Sequence, residues 1–432
     1  MVDVALSIVN ETPTLESLTL SIPRLYGQGQ LAWTLMSHKR LRRFTFKISP
    51  EVYPDSLQEI VEACSKLEYL CIDTYHQSPP SPYSSYSTDS ITRSAVAKKR
   101  YENMQDTKIR DLSIDLNHED LSHNLLISIL ERCPLLETLW LGGKYKRTTL
   151  KDVSDIFERG VCPLLKNVNI EGICETTHTP DELGAFVRSI GSNGRDDIED
   201  DRFGTRGLES LSIFEGAKFG RPTVLALTQY HSKTLTNLMW PHFIPLGISL
   251  FGDLLKDLPR LKTLKARVWL NLRVKDGPDM DPVFRKEWNC PELSNLEIDL
   301  GLSATFDKTT DQAWSGSLSD RSMSYALSQI AKLKKLKKLV VRSEVELLTL
   351  KGPGYLRMLS GLKQLEVLRF DRWSTSDMHA EEAEWMIENW PELISIIPEW
   401  RWIPKKSPGS RGKPYDEFTQ TLVDLRPRLS ID

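Results

Sequence analysis

The apolar positions of this chain fall into a six-residue phrase, apolar at its first, fourth and sixth places, that returns from one end of the sequence to the other. It reads Leu15-Glu-Ser-Leu18-Thr-Leu20, then Leu41-Arg-Arg-Phe44-Thr-Phe46, Leu67-Glu-Tyr-Leu70-Cys-Ile72 and Leu136-Glu-Thr-Leu139-Trp-Leu141. Further copies start at Ile109, Leu165, Leu208, Leu235, Leu261, Leu293, Leu336, Leu365 and, in degraded form, Leu393, which makes thirteen. The alternation at the end of each phrase predicts a short strand with one face buried. Upstream segments such as 56–64, 123–133 and 250–258 space their apolar residues as an amphipathic helix does. Each unit is therefore helix, turn, strand.

Most units are 26 to 29 residues long, which is the longer leucine-rich-repeat range. One such unit cannot bury both its helical and its strand face, but stacked neighbours share a continuous core. The expected architecture is a right-handed α/β solenoid, a horseshoe with a parallel β-sheet on the concave face and helices on the convex face. It would run over residues 1–432 as a single solenoid of about thirteen repeats, with a capping segment at 399–432. Three longer intervals, of 42, 43 and 43 residues, place insertions near 74–105, 172–207 and 301–319. The first is rich in Ser and Pro, with Ser78-Pro79 and Ser81-Pro82 as candidate phosphorylation sites, and the second ends in an acidic run up to Asp201.

Cys64, Cys133, Cys162 and Cys290 all lie three residues before the first leucine of a phrase, where Leu258, Leu333, Leu362 and Trp390 stand in other repeats. The slot wants an apolar side chain, and a small buried thiol satisfies it without redox chemistry. Cys133-Pro-Leu-Leu-Glu-Thr-Leu-Trp-Leu141, Cys162-Pro-Leu-Leu-Lys-Asn-Val168 and Cys290-Pro-Glu-Leu-Ser-Asn-Leu296 resemble the cysteine-containing leucine-rich repeats typical of F-box proteins, most of all the fungal ones. That resemblance implies substrate recognition for a Skp-cullin-F-box type ubiquitin ligase, with an N-terminal F-box docking the ligase adaptor. The F-box itself is absent ahead of Leu15, so an adaptor partner is expected only if an upstream F-box exists. The alternative is an adaptor-free leucine-rich-repeat scaffold.

Strand alternation also predicts which side chains face away from the core: the residue before each of the last two apolar positions, and the one after them. In the middle repeats these include Trp140, Asn169, Ser212, Phe214 and Met239. Aromatic anchors in a polar surface are typical of protein interfaces, so Trp140, Phe214 and Met239 are the candidate centre of a concave protein-binding face. Charge is banded along the same series. Arg43 and Lys47 precede Asp111 and Asp115, while Lys265 and Arg267 precede Glu297 and Asp299, then Lys338 and Arg342. Alternating bands favour a protein or peptide of mixed charge over a uniform polyanion, so a nucleic-acid partner is not expected. A small anion held against Arg43, Lys47, Lys265 or Arg267 is a weaker variant of the same surface.

Composition changes this picture little. A formal charge of -3 from 56 basic and 59 acidic residues, with 27% charged and 40% hydrophobic residues, suits a soluble chain. No apolar run approaches a membrane span and the start lacks a secretory pattern, so no membrane partner and a cytoplasmic or nuclear location are expected. Phosphate-binding loops, nucleophile elbows and zinc-binding helices find no match, nor does a Cys-x-x-Cys pair. The expectation is a non-catalytic binding protein without catalytic residues, metal or cofactor.

Overall fold

A computed structural model describes residues 9, 11–12, 14–22, 35, 37–48, 66–74, 106–116, 119–143, 148–171, 179–192, 207–214, 219–240, 246–269, 287–301, 316–343, 350, 354–371, 378–399 and 413–431. The chain divides into two compact units, Met1–Lys218 and Phe219–Asp432. Most of the three insertions lies outside the described residues, as does Cys64.

Every phrase becomes a strand. In the first unit these are β1 (Ser17–Ile22), β2 (Arg43–Ile48), β3 (Tyr69–Thr74), β4 (Asp111–Leu116), β5 (Thr138–Gly143), β6 (Asn167–Ile170) and β7 (Ser210–Ile213). They pair in chain order and all in parallel, with the phrases in register: Thr45 faces Cys71, Cys71 faces Ser113, Ser113 faces Trp140 and Trp140 faces Asn169. The second unit holds β8 (Asn237–Trp240), a two-residue β9 (Leu246–Gly247), β10 (Thr263–Trp269), β11 (Asn295–Gly301), β12 (Lys338–Ser343), β13 (Val367–Asp371), β14 (Ser395–Glu399) and a closing β15 (Ser430–Ile431). These too are parallel, with β8 and β9 both beside β10. The fold is an α/β leucine-rich-repeat solenoid.

Between strands run α1 (Glu119–Leu130), α2 (Thr149–Glu158) and α3 (Pro180–Ser192) in the first unit, and α4 (Arg221–Tyr230), α5 (Ile248–Lys256), α6 (Gly316–Ile330), α7 (Ala380–Asn389) and α8 (Lys413–Leu425) in the second. A 3-10 helix at Tyr355–Gly361 replaces one of them. In α2, Leu150, Val153, Ile156 and Phe157 form the buried stripe that the periodicity requires. Two helices start with reciprocal caps. Thr179 and Glu182 exchange backbone and side-chain hydrogen bonds ahead of α3, and His379 and Glu382 do the same ahead of α7. Glu382 is fully buried, and its second oxygen accepts from the Leu350 N–H.

The core lies between strands and helices. Leu70, Ile72, Leu112, Ile114, Leu139 and Leu141 are buried in the first unit, and Leu264, Leu296, Ile298, Leu339 and Leu368 in the second. An aromatic file threads the second unit: Phe219 stacks on Trp240 at 4.5 Å, and Phe251 meets both Trp240 and Trp288 edge to face.

Two hydrogen-bond devices set the repeat. The carbonyl two residues ahead of the inward strand position accepts both of two successive N–H groups of the next repeat. Glu16 O takes Arg42 and Arg43, Glu68 O takes Arg110 and Asp111, and Lys262 O takes Ser294 and Asn295, at 2.8 to 3.1 Å. In addition, the slot residue accepts a turn bond from the first leucine three residues on, as Cys133, Cys162, Leu258, Cys290, Leu333, Leu362 and Trp390 all do.

The slot asks for more than apolar bulk. Cys162 Sγ donates to Leu130 O at 3.7 Å, and Cys290 Sγ to Leu255 O and Leu258 O at 3.0 and 3.3 Å, each in the preceding repeat. Cys133 Sγ donates to Ile129 O. The other polar occupants act alike: His38 Nε2 donates to Val9 O, Trp390 Nε1 to Leu359 O, and Arg426 to the carbonyls of Trp390, Pro391 and Leu393. A helix end leaves carbonyls without intrahelical partners; Cys133 reaches one in its own helix, and the slot donors of Cys162, Cys290 and Trp390 reach carbonyls of the preceding repeat.

Burial pushes the Cys133, Cys162 and Cys290 thiols up to about 12. A raised thiol favours the folded state only while it is protonated in both states. Its contribution is whole below about pH 8.5 and is lost as pH climbs from there towards the folded value. These three thiols are expected to resist a thiol reagent at pH 8 until the chain is unfolded in urea; labelling of the native protein at those cysteines, read by mass spectrometry, would contradict this. Trp390→Phe keeps a buried aromatic ring but removes the donor and part of the indole volume, so unfolding free energy should fall by about 1–3 kcal/mol, measured by urea titration.

Candidate functional site

In each unit the side chains opposite the helices form three rows that run across the strands, and the predicted site residues lie in the second and third. In the first unit the second row reads Thr19, Thr45, Cys71, Ser113, Trp140, Asn169 and Ser212. The third reads Ser21, Lys47, Asp73, Asp115, Gly142, Glu171 and Phe214. The last two continue the ladder, since Glu171 N donates to Leu141 O at 2.7 Å and Phe214 N to Ile170 O at 2.8 Å.

Trp140 and Phe214 are half-buried on this face, two strands apart. The indole of Trp140 lies over Gly142. A Cβ there would come within 2.6 Å of Trp140 Cη2 and 2.9 Å of Asp115 Cγ, so the ring and the carboxylate share the space that glycine leaves. Asn169 donates from Nδ2 to Glu171 Oε1 at 3.2 Å and so turns that carboxylate along the third row. Ser212, expected on the open face, points that way but is only 4% exposed.

The cations of the first unit are engaged at its β2 and β3 side. Arg43 stacks on the Tyr69 ring with its guanidinium 4.9 Å from the centroid, and Lys47 lies 3.8 Å from Asp73. Burial, then Cys71, raises the Tyr69 phenol above its usual value, although Arg43 opposes this. At the strand starts Glu137 pairs with both Arg110 and Lys166, at 2.7 and 3.6 Å.

In the second unit the charged residues build a lattice. Met239 faces Lys265, Lys265 faces Glu297, Glu297 faces Val340 and Val340 faces Arg369; one row on, Arg267 faces Asp299 and Asp299 faces Arg342. Lys265 meets Glu297 at 2.9 Å, and Arg342 reaches diagonally to the same oxygen at 2.6 Å. Arg267 pairs with Asp299 at 3.2 Å. Val340, expected to face the partner, is 1% exposed among these long side chains. Met239 is half-buried at the β8 end of the lattice. The candidate residues thus form two groups: Trp140, Asn169 and Phe214 in one unit, and Met239, Lys265, Arg267, Glu297 and Asp299 in the other.

Among the described residues no group of three His, Cys, Asp or Glu could hold a metal ion, and no helix is long and apolar enough to cross a membrane.

Solved structures that the chain is similar to include the following two. With the crystal structure of a Rad7 and Elc1 complex in yeast it shares 11% identity over 98% of this chain and 83% of that one, at a TM-score of 0.39. With the leucine-rich-repeat-containing protein LegL7 from Legionella pneumophila it shares 13% identity over 96% of this chain and 93% of that one, at a TM-score of 0.32. No family model matches the chain, nor does any curated protein.

Burial raises the Glu297 carboxyl, but the hydrogen bonds from Arg342 and Lys265 outweigh it and hold it below the usual carboxylate range. A depressed carboxyl stabilises the fold above its unfolded value, near pH 4.3, and that contribution is lost as pH falls through the folded value. Glu297→Gln should therefore lower stability by about 1–2 kcal/mol at pH 7, and the gap from wild type should close as pH is lowered towards 3. A constant gap in urea midpoints across that range would show that charge is not the cause.

Proposed function

We propose that this protein is a non-catalytic protein-interaction module that binds its partner on the open face of the sheet. The observation that carries this is the face itself: half-buried Trp140 and Phe214 stand among polar side chains on a rigid backbone ladder. A large ring that is already ordered contributes buried area to a partner at little entropic cost, which is why such residues anchor interfaces. The charged lattice around Glu297 adds geometric selectivity, since a partner must match fixed charges rather than mobile ones.

The more specific proposal is substrate recognition for a Skp-cullin-F-box type ubiquitin ligase. It is motivated by the Cys-Pro phrases at Cys133, Cys162 and Cys290, which resemble the repeats of F-box proteins. An in-frame F-box encoded upstream of Met1, together with co-purification of a Skp-type adaptor, is the expected finding. Without either, the adaptor-free scaffold stands in its place.

For the face itself the test is proximity cross-linking in cells with wild type and with Trp140→Ala plus Phe214→Ala. The double variant should keep its circular dichroism and lose the main cross-linked partner by tenfold or more, equivalent to about 1.4 kcal/mol. Equal recovery from a folded variant would remove these rings from the binding surface.

A further inference from the structure

From β2 to β6, the residue just ahead of the first apolar position of the phrase is in turn Arg40, Lys66, Lys108, Leu135 and Leu164, each three residues before its strand begins. The strands pair in register, and the doubled carbonyl bonds from Glu16 to Glu137 hold their entries level, so the five side chains form one row along an edge of the sheet. At Lys108 the entry is fixed by Thr107, which gives both its N–H and its hydroxyl to Arg132 O. Strands are spaced about 4.8 Å apart, so three cations and then two leucines lie within reach of one bound segment.

The three cations are exposed, and none forms an ion pair with a described residue. Carboxylates two residues on in the phrase are taken by other cations: Glu68 pairs with Arg42 at 3.2 Å, and Glu137 with Arg110 and Lys166 at 2.7 and 3.6 Å. Glu16 and Asp106 are exposed nearby, and Lys39 beside Arg40 offsets one of them, so the stretch keeps a positive excess. In the second unit the same place holds Glu292 and Lys335 on adjacent strands, where they neutralise each other at 2.7 Å. The apolar end of the row is equally distinct. Leu135 and Leu164 are 36% and 39% exposed, and among the described residues of the first unit they are the exposed large apolar side chains.

We infer that this edge is a second docking site, separate from the open face, for an acidic segment of a protein partner. Its carboxylates lie over Arg40, Lys66 and Lys108, and its apolar side chains cover Leu135 and Leu164. Charge complementarity fixes the direction in which the segment lies, and covering the leucines adds hydrophobic burial. A nucleic-acid backbone would leave both leucines uncovered. A lipid surface fits poorly too, since the fold already covers more than half of each leucine. One competitor belongs to the chain: the acidic run from Asp196 to Asp201, which lies outside the described residues.

The test is subtractive selection from a random peptide-display library. Peptides that bind the folded full chain are kept, and those that also bind Arg40→Gln plus Lys66→Gln plus Lys108→Gln are discarded. Surviving sequences should carry Asp or Glu to one side of apolar residues. By fluorescence anisotropy their affinity should fall about tenfold or more in that triple variant and in Leu135→Ser plus Leu164→Ser, equivalent to about 1.4 kcal/mol each. Glu292→Gln plus Lys335→Gln, at the same place in the second unit, should leave it unchanged. Wild-type affinity should also fall as salt is raised, a readout that needs no variant. Survivors without acidic residues, indifference to salt or to the leucine pair, or no survivors at all would overturn the docking edge and leave the open face as it stands. Peptides that depend on Trp140 and Phe214 instead would do the same. Tighter binding of phosphatidylserine vesicles or a single-stranded oligonucleotide, with the same dependence on the five residues, would overturn the protein partner. Binding that emerges only after Asp196, Asp197, Glu199, Asp200 and Asp201 are changed to Ser would overturn it in favour of the chain's own loop.

Discussion

Within each unit, successive repeats are tied by a single backbone carbonyl that accepts two successive N–H groups, at Glu16, Arg42, Glu68, Arg110, Glu137 and Lys166 in the first unit and at Thr236, Lys262, Ser294, Lys337 and Glu366 in the second. This bond fixes where each strand begins. Because side chains alternate strictly along a strand, a slip of one residue would turn Leu139 and Leu141 outwards and Trp140 into the core. Everything on the open face therefore depends on this repeated registration.

The slot residue reinforces it from the helix side. Cysteine suits the position because it is small, apolar and still a weak donor, able to cap a carbonyl that an aliphatic residue would leave to the backbone alone. Trp390, His38 and Arg426 achieve the same with different reach. The repeats bearing Leu258, Leu333 and Leu362 keep the turn and the ladder without the donor, two of them in succession.

The two units use their faces differently. On the second, Glu297 and Asp299 hold Lys265, Arg342 and Arg267 in fixed geometry, two carboxylates to three cations. On the first, the β4 to β7 stretch concentrates carboxylates around Trp140 without cations at the outward positions.

The strands, their order, their register and the inward residues were all legible in the sequence, since a period of two and a spacing near 27 residues leave one way to stack the phrases. The apolar nature of the cysteine slot was legible too, but its role as a carbonyl donor was not, because the acceptors at Leu130 and Leu255 lie about a repeat away. Alternation likewise assigns Ser212 and Val340 to the open face correctly as direction, and fails as exposure, because coverage depends on the length of neighbouring side chains. The sequence by itself determined which residues face which side. Only the tertiary structure decided that Trp140 folds over Gly142 beside Asp115, and that Arg342 reaches diagonally to Glu297, because both are contacts between side chains that choose rotamers only once their neighbours are in place.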